Sequence, residues 1–134
     1  MDAQQRIVAE ECTAASEKDR MSFSQVLGAL AGAGFEGYFT DLRRAVKIYY
    51  LPDGGNIEIA TGGETPPVAD VFDSAAIAEA VRWAQAAEAD YSYKGFCERI
   101  MAAGCMGYLV SLLGRRAVYF GRTGETYVEH FPNR

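Results

Sequence analysis

The chain has 134 residues, 49% of them hydrophobic and 23% charged, with a formal net charge of −5. That length suits a single domain able to bury about two-thirds of its unfolded surface without a metal or a disulfide. The acidic balance, with Arg43-Arg44 and Arg115-Arg116 as the only paired arginines, offers no basic footprint for a phosphate backbone, so nucleic acid is not an expected partner. No apolar run reaches the ~18 residues of a membrane span, so no membrane partner is expected either. The N-terminus, Met1-Asp2-Ala3-Gln4-Gln5-Arg6, is polar and mixed in charge, unlike a signal peptide. Three scattered cysteines, Cys12, Cys97 and Cys105, form no C-x-x-C pair and read as reduced thiols. A cytoplasmic location is the expectation.

In chain order, residues 3–18 read as a helix with Ile7, Val8, Cys12 and Ala15 on one stripe. Ser22 opens a second helix, and Ser22 with Gln25 has the S-x-x-Q form of a capping box. Phe23, Val26, Leu27 and Leu30 give that helix its apolar face, and Gly32 and Gly34 stop it. Tyr38–Leu42 reads as a strand, Arg43-Arg44 as a turn, Val46–Leu51 as a second strand, and Pro52-Asp53-Gly54-Gly55 as a strong turn before Ile57–Ile59. Residues 61–67, rich in Gly and Pro, are the one linker-like stretch. Asp73 or Ser74 then caps a helix carrying Ile77, Ala80, Val81 and Ala84, and Ser92 caps another carrying Phe96, Cys97, Ile100 and Met101. Strands follow at about 107–113, 115–120 and 125–131.

The second half repeats the first. Ala33-Gly34-Phe35-Glu36-Gly37-Tyr38 is answered by Ala103-Gly104-Cys105-Met106-Gly107-Tyr108, and Ser22/Ser92, Leu42/Leu112, Tyr49/Tyr119 and Gly54/Gly124 all stand 70 positions apart. The pattern reads as an internal duplication of an α-α-β-β-β unit. The expected fold is therefore α+β, a mainly antiparallel sheet with four helices packed on it. It forms a single domain over 1–134 whose repeats, about 1–60 and 71–131, share one core, because a three-stranded meander is marginal alone.

The run from Ala102 to Tyr108, then Gly114-Arg115-Arg116-Ala117-Val118-Tyr119-Phe120-Gly121-Arg122 and Glu125-Thr126-Tyr127-Val128-Glu129-His130-Phe131, resembles the YbcV-like family. So does Tyr38–Leu42 together with Tyr49-Tyr50-Leu51-Pro52-Asp53-Gly54. These are small bacterial and prophage-encoded proteins of unassigned function, some labelled phage envelope protein. The resemblance spans nearly the whole chain and implies no activity or catalytic set.

Candidate chemistry is sparse. Gly32-Ala33-Gly34-Phe35-Glu36-Gly37 matches G-x-G-x-x-G, but it follows a helix and precedes a strand, the reverse of a dinucleotide site, so it reads as a helix stop. His130, the only histidine, could pair with Cys105 as base and nucleophile, although Cys105 in its apolar run reads better as a small buried hydrophobe. Neither a metal nor a cofactor is expected, since a metal site needs three or four convergent ligands. Positions that differ in polar character between the copies are freer to serve a ligand: Asp41 against Ser111, Val46 against Arg116, Lys47 against Ala117, Ile59 against Glu129, Ala60 against His130 and Ala45 against Arg115. From these, Asp41, Arg115, Arg116 and His130 are the candidate polar groups of a ligand site walled by Tyr38 and Tyr108. The leading expectation is a non-enzymatic module, monomer or homodimer, that binds a small molecule or a protein. The alternatives are an enzyme using Tyr, Asp, Arg or His acid–base chemistry in a cleft between the repeats, and a structural or assembly role of prophage origin.

Overall fold

Two helices and three strands follow one another twice along the chain. In the computed structural model, which describes residues 1–62 and 66–131, these are α1 (Ala3–Glu17), α2 (Phe23–Gly32), β1 (Gly37–Asp41), β2 (Val46–Tyr50) and β3 (Asn56–Ala60). They are followed by α3 (Ser74–Ala86), α4 (Tyr93–Ala102), β4 (Cys105–Ser111), β5 (Arg116–Gly121) and β6 (Thr126–His130). Gly63–Thr65, the middle of the linker-like stretch, lie outside the described residues.

The helix starts are fixed by side chains that satisfy orphaned backbone donors. Ser22 and Gln25 form the capping box of α2, and Asp2 with Gln5 forms a second one for α1. Asp73 and Ser92 cap α3 and α4. Gly34 and Gly104 follow the ends of α2 and α4 at φ 93° and 94°, a conformation that carries almost no penalty for glycine.

All six strands form one antiparallel sheet in the order β3-β2-β1-β4-β5-β6. The registers of the two outer meanders correspond. Tyr38 faces Tyr49 and Asp41 faces Val46, while Tyr108 faces Tyr119 and Ser111 faces Arg116. At the centre, Gly37 pairs with Ser111, Asp41 pairs with Gly107, and Phe39 pairs with Leu109, its own counterpart 70 positions on. The two glycines make this close pairing possible. A Cβ on Gly37 would run into the Val110 carbonyl, and one on Gly107 would come within 2.6 Å of the Thr40 carbonyl.

The helices cover one face of the sheet, with α1 against β3, α3 against β6 and α4 against β4. Strand alternation places Tyr38, Tyr49, Tyr108, Val110, Ala117 and Tyr119 beneath them in the core. Two of the core phenols are satisfied there, Tyr49 with Thr13 at 2.8 Å and Tyr119 donating to Glu129 at 2.8 Å. The other face carries a row that is in register across five strands: Ile48, Phe39, Leu109, Val118 and Val128.

Candidate functional site

A cleft of about 710 Å3 opens at the end of β1 and β2, between the sheet and the helices. Thr40 and Leu42 of β1 and its turn, Glu17 of α1, Tyr93, Cys97 and Met101 of α4, and Pro66 and Pro67 line it. The two helices are tied together at this point, because the Tyr93 backbone N–H at the start of α4 donates to Asp19 Oδ1 just past α1, at 2.8 Å.

Next to Thr40 on the sheet, and directly paired with it, is Lys47 of β2. Both residues are 2% exposed. The Lys47 ammonium sits 4.4 Å from the centroid of the Tyr93 ring and 5.4 Å from that of Tyr38. The negative ring faces offer it some compensation. The ion pairs among the described residues are Arg20–Glu11 and Arg44–Glu58, so no carboxylate is paired with Lys47 there. Burial accordingly lowers the basicity of the amine, against the opposing influence of Cys97, Glu17 and Cys12. Around it, burial pushes the Cys97 thiol up to about 11, offset in part by the Tyr93 hydrogen bond and the Lys47 charge, and raises the Glu17 carboxyl. Tyr93 and Tyr108 share a 2.7 Å hydrogen bond between their hydroxyls, and burial raises both phenols well above the ordinary value. Thr40 Oγ1 is close enough to influence the Tyr108 phenol, yet it is buried and has no partner in hydrogen-bond geometry. Such an orphan is a rarity that asks for a reason. The cleft therefore joins apolar surface to an unsatisfied hydroxyl, with a buried cation beside it and Glu17, Asp41, Lys94 and Glu98 also in its lining, a mixture of apolar wall and fixed polar groups that suits a small molecule.

The six residues singled out from the sequence are divided by the sheet. Tyr38 and Tyr108 lie on the helix-covered face beside this cleft, their rings 6.4 Å apart. Asp41 reaches the cleft rim, where its Oδ1 accepts the Arg43 and Arg44 backbone N–H groups at 3.1 Å. Arg115, Arg116 and His130 are exposed at the far end of the central strands, with Arg116 paired to His130 across β5 and β6. The four polar candidates thus do not converge. Cys105 and His130 also lie at opposite ends of β5, facing Gly121 and Arg116 respectively, and the Cys105 thiol donates to the Gly107 carbonyl at 3.3 Å. Among the described residues, no three His, Cys, Asp or Glu side chains cluster for a metal, and no helix is long and apolar enough to cross a membrane.

Thr40, Lys47, Tyr93, Cys97 and Glu17 escaped the sequence-derived site. A signal was present for most of them. Their counterparts 70 positions away are Val110, Ala117, Phe23 and Leu27 for the first four, so each polar group of the cleft answers an apolar one elsewhere. Phe23 in turn packs edge-on against Phe131 at 5.4 Å, filling its own end of the molecule with aromatic rings.

The family model described as "Protein of unknown function (DUF1398)" matches residues 15–130. No curated protein matches the chain.

Proposed function

The chain belongs to the DUF1398 family, whose function is unknown, and we propose that it is a small-molecule binding protein whose ligand occupies the cleft above Thr40 and Lys47. The observation that carries this reading is the buried Thr40 hydroxyl, which lines the cleft without a hydrogen-bond partner, with the buried Lys47 ammonium beside it held against ring faces rather than against a carboxylate among the described residues. A ligand that met them would convert a standing desolvation penalty into binding energy.

The repeat pattern supports the same place. If the chain is a duplicated α-α-β-β-β unit, the ancestral packing is apolar at both ends. One end has since acquired Thr40, Lys47, Tyr93 and Cys97 where the other holds Val110, Ala117, Phe23 and Leu27. On this view the site is a specialisation of one copy, in a cytoplasmic protein for which the YbcV-like likeness and its prophage connotation specify no ligand.

The test is a small-molecule screen by amide NMR on the labelled chain. Ligands should move the resonances of Thr40, Tyr93 and Cys97, and Thr40→Val with Cys97→Leu should remove those shifts while the spectrum stays dispersed. Hits that all map elsewhere would refute the cleft.

A second reading is favoured by the helix-free face. Leu109, in the middle of the apolar row, and Val128, at its β6 end, remain 37% and 36% exposed, a surface suited to a protein partner. Binding studies with Leu109→Lys would separate the two readings, because that substitution leaves the cleft untouched.

A further inference from the structure

We propose that the ligand of this cleft is a small monocarboxylate with an apolar body, its carboxylate seated against the Thr40 hydroxyl and the Lys47 ammonium. The inference rests on the cleft being a binding site and goes on to specify what it binds. Three observations on separate elements carry it.

The first is the character of the floor. Thr40 Oγ1 is a buried donor without a partner, and Lys47, its direct neighbour on β2, is a buried cation with no ion-pair partner among the described residues. A carboxylate oxygen accepts from a hydroxyl and an ammonium at once, and hydrogen bonds with charged partners are roughly twice as strong as neutral ones. A neutral amide could accept from the hydroxyl but brings no charge, leaving the ammonium with only the ring faces of Tyr93 and Tyr38 to offset its own.

The second is the charge at the mouth. Among the described residues, Glu17, Asp41 and Glu98 line the cleft together with Lys94, while Lys47 is buried beside the lining. Asp41 is occupied by two turn N–H groups, and burial disfavours the charged form of Glu17. The remaining negative field opposes phosphates and dicarboxylates more than a single carboxylate, and a primary amine would meet like charge at Lys47. The third is the wall. Leu42, Ala45, Met101, Pro66 and Pro67 offer apolar surface beside the polar Thr61 and Tyr93, so a hydrocarbon body has a wall to rest on.

The experiment titrates the full chain at neutral pH with three probes of equal length, hexanoate, hexanamide and hexylamine, followed by calorimetry and by the Thr40 and Tyr93 amide shifts. Hexanoate should bind at least about tenfold more tightly than hexanamide. Lys47→Met should bring the two to parity while hexanamide binding persists, and Thr40→Val should weaken hexanoate several-fold. Thr40→Val, nearly isosteric, keeps the test decisive should Lys47→Met disturb the fold. Equal binding of hexanoate and hexanamide by the unaltered chain would overturn the carboxylate inference and leave the cleft reading standing. A preference for hexanoate that survives both substitutions would assign the anion to another place and overturn it as well. If none of the three probes moves a cleft resonance, the binding cleft itself is refuted.

Discussion

Lys47 stands in the strand segment Val46-Lys47-Ile48-Tyr49-Tyr50, where nothing in the local sequence says which face is covered. Apolar residues occupy both faces, so alternation alone left open whether the lysine points to solvent or beneath α1 and α4. Its difference from Ala117 was legible, but its burial was not, because that depends on helices remote in the chain. Two predictions follow from its environment. Replacing the amine by a thioether of similar length removes an unpaired buried charge, so Lys47→Met should stabilise the chain by on the order of 1 kcal/mol near neutral pH, net of the lost ring contacts. The folded-state pKa of Lys47 lies below the ordinary 10.5, so between those two values the unfolded chain binds more protons and the contribution of Lys47 to stability rises with pH. The advantage of Lys47→Met should therefore shrink as pH climbs toward about 10, measurable by denaturant titration at several pH values. An advantage independent of pH would show that Lys47 titrates as it does in the unfolded chain. The buried tyrosines act with the opposite sign. Tyr38, Tyr93, Tyr108 and Tyr119 are raised well above 10.0, chiefly by burial. Their contribution is intact below that value and is lost as pH rises beyond it, while the unfolded chain ionises. Tyrosinate absorbance from these four should appear together with alkaline unfolding, and a smooth titration of all eight tyrosines in still-folded protein would contradict their burial.

The helices and turns were the most legible elements, because each is announced by a short-range signal with a physical cause. The Ser22–Gln25 capping box, the Ser92 cap and the helix-stopping Gly34 and Gly104 lie where the sequence placed them. The Asp2–Gln5 capping box was equally local but went unread. Strand β4 begins at Cys105, earlier than the expected start near 107, because a bulge between Cys105 and Gly107 extends its pairing to Gly121. Two glycines alike in φ differ in what surrounds them, and this could not be read from the sequence. A Cβ on Gly34 would meet only the Gln5 Nε2 at 3.6 Å, whereas one on Gly104 would strike the Val71 carbonyl and approach the Phe72 Cα to 2.9 Å. Gly34→Ala should therefore cost about 1 kcal/mol from left-handed strain. Gly104→Ala should cost roughly 2–4 kcal/mol, since backbone must also shift. Thermal denaturation of both variants tests this, and equal losses would show that the segment around Val71 yields freely.

The sheet as a whole explains why the polar candidates did not gather into one site. Their selection treated the differing positions as a single set, whereas the central antiparallel register puts Asp41 opposite Gly107 and Ser111 opposite Gly37, sending Asp41 and the Arg115–Arg116 turn to opposite ends. The strand order, and with it this separation, is fixed by long-range pairing that no local pattern encodes. That same register allows a prediction about the duplication. Phe39 pairs with its counterpart Leu109, and the Leu42 N–H donates to the Met106 carbonyl just as the Leu112 N–H donates to the Glu36 carbonyl, at 3.1 and 2.9 Å. If the halves descend from one unit, β1 carries its own complement. The segment 1–62 expressed alone has an uncovered β1 edge and, as a three-stranded meander, too little sheet for independent stability. It should therefore associate as a two-fold dimer with Phe39 facing Phe39 and Gly37 facing Asp41. Gly37 would keep there the close approach to the Thr40 carbonyl that Gly107 has in the intact chain. Sedimentation should find a folded dimer, and Gly37→Val, which blocks the approach, should leave an unfolded monomer. A folded monomeric half would show that β1 needs no such partner, and a disordered half at all concentrations would mean that the central pairing no longer retains the symmetry its register suggests.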